Sequence, residues 1–182
     1  MKVVLLSGSS QKHSHTLALA DALAAEIVKN SAEAEVIDIV ELELPPPDTD
    51  YHKNPEDHPD EKVRSLASKV DQADAVVLLS PVYHNSYSGT LKTALDHLAI
   101  KNFVGKPMAF GSHGGNRTTQ PIDQLRIVAR GLNAIGLPSQ VCTTKEDYIE
   151  TSDGYELVAE DIKERIEGVA LRLVEVTRKL KQ

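Results

Sequence analysis

Three stretches of this chain gather small donors and imidazoles densely enough to form a binding surface. Ser7–Thr16 reads SGSSQKHSHT, with four serines, two histidines, a lysine and a threonine. Ser80–Gly89 reads SPVYHNSYSG, and Gly111–Thr119 reads GSHGGNRTT. The first stretch lies between an apolar run ending at Leu6 and a segment of helical periodicity beginning at Leu17. A helix start presents free backbone N–H groups and the positive end of the helix dipole, which favour an anion. Ser9, Ser14 and Thr16 could add hydroxyl donors there, and Lys12, His13 and His15 could add charge, so a phosphate is the natural guest. Capping is the plainer use of the same residues, because Ser14 or Thr16 alone can close the helix start. A cap accounts for one or two hydroxyls and leaves the rest of the loop to a ligand.

Several chemistries are excluded by what the chain lacks. It contains no G-x-x-x-x-G-K-[ST], no G-x-G-x-x-G and no G-x-S-x-G, so it carries neither a P-loop, an ordinary dinucleotide fingerprint nor a nucleophile elbow. A phospho-acceptor receiver needs acidic residues after its first strand and an Asp closing its third; Ser9-Ser10 and Ser80-Pro81 stand there. Cys142 is the one cysteine, which rules out an intrachain disulfide and a Cys-rich zinc site, and it is expected to be buried and inert. His52 and His58 lie among acidic residues without the spacing of a metal motif. A net charge of -7 and a pI near 5.5 argue against nucleic acid or an anionic membrane as partner. The opening apolar run is too short for a signal-peptide core or a membrane span, so a soluble, cytoplasmic protein is expected.

The elements that must position the three stretches are legible as periodicity. Val3–Leu6 and Ala75–Leu79 are continuous apolar runs, as in strands buried on both faces. Val36–Val40 alternates and predicts a strand nearer an edge; Met108–Phe110 and Ser139–Cys142 predict two more. Helical spacing joins Leu19, Leu23 and Ile27; Val63, Leu66, Ala67 and Val70; Leu91, Ala94, Leu95 and Leu98; Leu125, Val128, Ala129 and Leu132; and the long stripe from Ile162 to Leu180. Strand and helix thus alternate five times. With 182 residues and 41% hydrophobic content, this predicts one α/β domain over residues 1–182: a flavodoxin-like, doubly wound five-stranded parallel sheet of order 2-1-3-4-5 with helices on both faces. In such a sheet ligands bind outside the carboxyl ends of the strands, where the three donor-rich stretches fall. Pro45–Asp60 interrupts the rhythm as a long acidic, proline-rich excursion, either functional or simply solvated.

SPVYHNSYSGTLKTALDHL, Ser80–Leu98, resembles the flavin-loop signature of the NAD(P)H-dependent FMN reductases, a flavodoxin-like group that includes azobenzene and quinone reductases. Pro81, Tyr83, His84, Ser86, Gly89, Leu91, Lys92, Ala94, Leu95 and Asp96 match its pattern in register, and the first and third stretches are similar to the family's other two loops. The resemblance implies FMN as cofactor and NADPH or NADH as substrate. It places the phosphate on Ser9, Ser14, His15 and Thr16. Gln11 stands where many relatives carry a phosphate-clamping Arg, leaving Lys12, His13 or His15 to supply charge. Pro81, Val82, Tyr83, His84, Asn85 and Ser86 would line the isoalloxazine edge, and Ser112, His113, Gly114 and Gly115 would flank its pyrimidine end. Backbone amides near Asn85-Ser86 and Gly114-Gly115 would face the reduced ring's charge. The flavin supplies the redox chemistry, so no side chain is assigned a catalytic proton. The resemblance also implies a small-molecule electron acceptor, among free flavin, quinones, azo dyes and metal oxyanions. It further implies a homodimer or homotetramer, paired through the apolar arc of Thr90–Ala99. A flavodoxin-type electron carrier is the rival reading, though such carriers usually sandwich the ring between aromatics, and this chain has no Trp and 4% aromatics. A module that has lost its cofactor is a third.

Overall fold

The computed structural model describes residues 1–182. Five parallel strands, β1 (Lys2–Ser7), β2 (Glu33–Asp38), β3 (Ala75–Pro81), β4 (Pro107–His113) and β5 (Ile135–Thr143), form one sheet in the order β2-β1-β3-β4-β5. The helices are α1 (His15–Lys29), α2 (Ile39–Leu42), α3 (Glu61–Gln72), α4 (Gly89–Asp96), α5 (Gln120–Gly131) and α6 (Glu160–Leu180). The expected flavodoxin-like architecture and strand order are present.

The continuous apolar runs follow from a sheet covered twice. In β1, Val3 and Leu5 point into one core while Val4 and Leu6 point into the other. In β3, Val77 and Leu79 join the first and Val76 and Leu78 the second. The first core is closed by Leu19, Leu23 and Ile27 of α1 and the α6 stripe; the second by Leu66 and Val70 of α3, Leu91 and Ala94 of α4, and Leu125 of α5. A strand with period-2 side chains can be apolar throughout only when both faces are dry.

Four expectations need correction. The second strand is Glu33–Asp38 rather than Val36–Val40: pairing with β1 ends at Ser7 opposite Asp38, and Ile39 turns into α2 and the second core. The apolar arc of Thr90–Ala99 is consumed at home, with Leu91, Ala94, Leu95, Leu98 and Ala99 all buried, so it offers no free face for pairing. Cys142 is half-buried, although burial still pushes its thiol pKa up. Finally, an antiparallel hairpin, β6 (Tyr148–Thr151) and β7 (Gly154–Leu157), stands between β5 and α6, outside the strand–helix alternation.

The proline-rich excursion is a packed strap with short 3-10 turns at Thr49–Tyr51 and Pro55–Asp57. Buried His58 meets Tyr51 edge-on at 5.0 Å and His97 at 5.4 Å between ring centroids. Its fastenings reach backbone: His97 Nε2 lies 2.8 Å from Pro45 O, and His52 Nδ1 lies 3.3 Å from Asp96 O.

Candidate active site

All three donor-rich stretches emerge at the carboxyl edge of the sheet, with the β1–α1 and β3–α4 loops flanking the switch point between β1 and β3. Gly8 opens the first loop. Its N–H reaches Leu79 O at 2.8 Å, and a Cβ there would lie 2.6 Å from Leu91 Cβ and 2.9 Å from Leu79 O. Ser9 Oγ accepts the Gln11 N–H at 3.1 Å, and Ser14 Oγ caps α1 by accepting the Leu17 N–H at 3.1 Å. Both hydroxyl protons remain available. The N–H groups of Ser9, Ser10, Lys12, His13, Ser14, His15 and Thr16 donate to nothing in the fold, so the loop presents a row of backbone donors at the helix N-terminus. Gln11 is exposed. Lys12, expected as a charge donor, is spent on Glu41 at 3.0 Å, and that hydrogen bond raises its pKa.

The second loop is a tight reversal. Tyr83 and Ser86 exchange both backbone hydrogen bonds, at 2.9 and 3.0 Å, around His84 and Asn85, with φ of +49° and +61°. Two positive φ values in a two-residue turn usually go to glycine or asparagine. His84 is therefore held at a backbone cost, with its side chain exposed. Gln124 of α5 braces the turn: Ser86 Oγ donates to its Oε1 at 2.6 Å, and its Nε2 donates to Asn85 O at 2.9 Å. Tyr83 is exposed and its hydroxyl meets Ser10 Oγ at 2.9 Å, joining the second loop to the first. Beneath, buried Ser88 caps α4 by accepting the Leu91 N–H at 3.0 Å, donates its hydroxyl to Gly8 O, and sends its N–H to Ser80 Oγ at 2.9 Å.

The third loop begins at Ser112, whose hydroxyl donates to Thr118 O at 2.8 Å. Gly114 sends its N–H to Thr143 O at 2.9 Å, and a Cβ on it would lie 2.5 Å from Val82 Cγ2. Its bareness thus serves the packing of Val82, whereas Gly115 faces open space. The amides near the expected ring divide accordingly. Those of Ser86 and Gly114 are used inside the fold, and those of Asn85 and Gly115 are free. Arg117, at φ +47°, ties the loop to buried Asp147 and, at 2.8 Å, to Asp161 of α6.

The histidines do something composition did not suggest. The His15 ring lies between Tyr155 of β7, at 3.6 Å between centroids, and His113, at 4.3 Å with only 4° between planes. Tyr148 meets both imidazoles edge-on. His113 Nδ1 lies 3.1 Å from Thr143 Oγ1, to which the Tyr148 hydroxyl donates at 3.2 Å. Burial, and then the proximity of His15, push the His113 pKa down to about 4 against the pull of Asp147 and Glu146. Burial likewise lowers His15, opposed by Glu150. The charge expected of His15 is thus disfavoured by its own packing. His13, at φ +51°, brings Nδ1 to 3.1 Å from Asp153 O at the hairpin tip.

Sequence reasoning missed Ser10, Ser80, Ser88, Arg117 and Tyr155 as site-forming residues. Asp153-Gly154 between two β-prone runs was a hairpin signal that could have found the last.

A doubly wound sheet whose switch point carries an anion-ready first loop and two small-residue loops defines a flavodoxin-like flavoprotein. Residues 1–147 match the NADPH-dependent FMN reductase family. The FMN-dependent NADPH-azoreductase of Staphylococcus aureus is 37% identical over 155 residues, which span 85% of this chain and 82% of that one. Among solved structures, FerB, a flavoenzyme NAD(P)H:(acceptor) oxidoreductase from Paracoccus denitrificans, superposes with a TM-score of 0.78 at 21% identity, over 98% and 97% of the two chains. An apo NADH:FMN oxidoreductase superposes with a TM-score of 0.73 at 22% identity, over 94% and 89%. The chain belongs to the NADPH-dependent FMN reductase family, and it is an NAD(P)H-dependent oxidoreductase with FMN as its cofactor. No helix is long and apolar enough to cross a membrane.

Proposed function

We propose that residues 1–182 act as one FMN-binding domain that passes electrons from NADPH or NADH to a small diffusible acceptor, such as free flavin, a quinone, an azo compound or a metal oxyanion. The observation that carries this reading is the row of unpartnered N–H groups between Ser9 and Thr16, all but that of Gln11, set at the N-terminus of α1 beside the sheet's switch point. The residues fit the cofactor. That row, with the free hydroxyl protons of Ser9 and Ser14 and the Thr16 hydroxyl, suits a phosphate without a cationic side chain. Gln11, His13 and His15 shape the loop around it. Pro81, Val82, Tyr83, His84, Asn85 and Ser86 form one wall for a flat ring, and Ser112, His113, Gly114 and Gly115 form its other end.

Bound FMN would supply hydride acceptance and electron release. The protein's share is to bind, orient and polarise: the free Asn85 and Gly115 N–H groups offer dipoles to the reduced ring's charge. Tyr83 is the exposed large aromatic at this edge, and a single aromatic cannot sandwich the ring as an electron carrier does. An open ring face lets nicotinamide and acceptor take turns. Pairing into a homodimer or homotetramer would draw on Ile100 and Val104, which stay exposed just beyond α4, and sedimentation at micromolar concentration tests it.

Steady-state kinetics with NADPH, NADH and a quinone or azo acceptor test the function. Parallel double-reciprocal lines are expected. Retained FMN with negligible NAD(P)H oxidation would instead identify a carrier, and intersecting lines would exclude a shared ring face.

A further inference from the structure

The hairpin β6–β7 begins at Tyr148, one residue past the stretch that matches the family, yet it reaches back to the first loop. Tyr155 stacks on His15, the first residue of α1, and Asp153 O holds His13 within the loop itself. We propose that this hairpin is a brace for the phosphate loop and that Tyr155, acting through His15, is a positioning residue for FMN. The proposal rests on the reading that the first loop holds the FMN phosphate.

The physical case is one of rigidity. A loop in which most N–H groups past Gly8 are unbonded within the fold, the Gln11 N–H on Ser9 Oγ excepted, has little internal structure to hold it. Its inner side is fixed by Gly8 and the Ser14 cap, but residues Ser10 to His13 are exposed. His13 also sits in the left-handed region, a conformation a non-glycine residue keeps only when its surroundings enforce it. The hairpin supplies that enforcement from outside. A preorganised donor row binds an anion without paying to order itself. The stack is the connection that matters, because His15 follows the capping Ser14 directly and its rotation would swing the helix start. Tyr155 contributes its ring face; its hydroxyl makes no hydrogen bond in the fold.

Fluorescence titration of the full chain with FMN and with riboflavin, which lacks the phosphate, tests the brace in wild type, Tyr155→Phe and Tyr155→Leu. Wild type should prefer FMN strongly, and Tyr155→Phe should match it because the stack survives. Tyr155→Leu should weaken FMN about tenfold, the scale of a lost aromatic pair, while riboflavin affinity stays the same. Gly154→Ala is the gentler variant. At φ +141° an alanine strains the backbone of the hairpin tip that holds His13, although its Cβ meets His13 Cβ at an ordinary 3.7 Å, and the Tyr155 side chain is unchanged, so it should cost FMN a few-fold and riboflavin nothing. Equal weakening of both ligands would overturn the proposal, since mere destabilisation does that, and so would unchanged FMN binding in Tyr155→Leu and Gly154→Ala. A wild type that binds riboflavin as well as FMN would instead defeat the phosphate assignment beneath it.

Discussion

The first loop meets its neighbours along two seams of opposite character. Toward the second loop the seam is dry and neutral: Gly8 against Leu79 and Leu91, with the buried hydroxyls of Ser80 and Ser88 closing each backbone gap. Toward the third loop and the hairpin it is built from titratable rings, His15 on His113 on one side and Tyr155 on the other, with the Arg117 clamp beside them. Neutral hydrogen bonds in a dry seam ignore pH and salt. Stacked imidazoles and ion pairs do not. If FMN binds as proposed, one seam fixes where its ring lies and the other leaves the grip on its phosphate open to conditions.

The largest effect should come from Gly8→Ala. The added methyl finds Leu91 Cβ at 2.6 Å and the Leu79 carbonyl at 2.9 Å, and neither backbone nor Cβ can swing aside as a flexible side-chain end would. Overpacking at so rigid a point should cost about 3 kcal/mol. Urea unfolding reads it, and a cost under about 1 kcal/mol would mean the dry seam yields more easily than its geometry indicates.

Acidification should act on the other seam. The folded His113 value, about 4, lies below the unfolded 6.5, so the unfolded chain binds the proton more readily. Stability is therefore complete above pH 6.5 and drains as pH falls toward 4. Since His113 is only partly buried, screening trims the loss to about 2 kcal/mol. The quantity to measure is the difference between wild type and His113→Gln across that window, which removes the acid response of the carboxylates common to both. A flat difference would show that the stack tolerates a cation. FMN affinity bears on the same point. If His15 donated charge to a phosphate, acid would tighten binding, whereas a stack that loosens on protonation weakens it.

The two seams were unequally legible in the sequence. The helix stripes and the twice-covered central strands follow from periodicity, because alternate residues of β1 and β3 must feed two cores; the strand order and the edge where the loops gather follow from the strand–helix alternation and the rules of doubly wound sheets. The dry seam was half visible: Gly8 and Ser88 sat inside stretches already singled out, but nothing local shows that Ser88 donates to a carbonyl 80 residues away. The titratable seam was invisible as a seam. His15 and His113 each looked like a phosphate or ring contact, and Tyr155 fell in a stretch assigned to no element. Their stack exists only because a hairpin outside the strand–helix rhythm folds back over α1. The Thr90–Ala99 arc taught the converse, since an apolar face expected to pair subunits proved buried within the fold.

Arg117→Gln should cost less than either change above, about 1–2 kcal/mol. Burial alone would raise the Asp147 pKa, and the Arg117 and Thr144 hydrogen bonds outweigh it and hold the carboxylate low. Without Arg117, Asp147 keeps the Thr144 N–H at 2.7 Å and so is not stranded. Because the guanidinium is half exposed, the loss should shrink in 0.5 M salt. A cost that ignores salt would reassign the clamp's role to shape.

The smallest effect tests whether the dry seam stays neutral to its outer rim, where Ser10 Oγ and the Tyr83 hydroxyl meet at 2.9 Å in contact with water. Ser10→Ala and Tyr83→Phe each remove one partner and leave the other solvated, so neither strands a buried group. A double-mutant cycle on unfolding should therefore give a coupling of about 0.5 kcal/mol, the low end for a neutral hydrogen bond. That coupling should not change between 0.05 and 0.5 M salt, because neither partner is charged. For FMN the same cycle should couple more strongly than for folding. Holding Tyr83 fixes one wall for the ring, and Ser10 belongs to the loop proposed to hold the phosphate, so losing the bond lets the two ends of one ligand drift apart. Equal couplings for folding and for FMN would mean that the bond merely decorates the rim. A coupling that collapses in high salt would place a charge at this rim, and the contrast between the seams would then hold only in their buried layer.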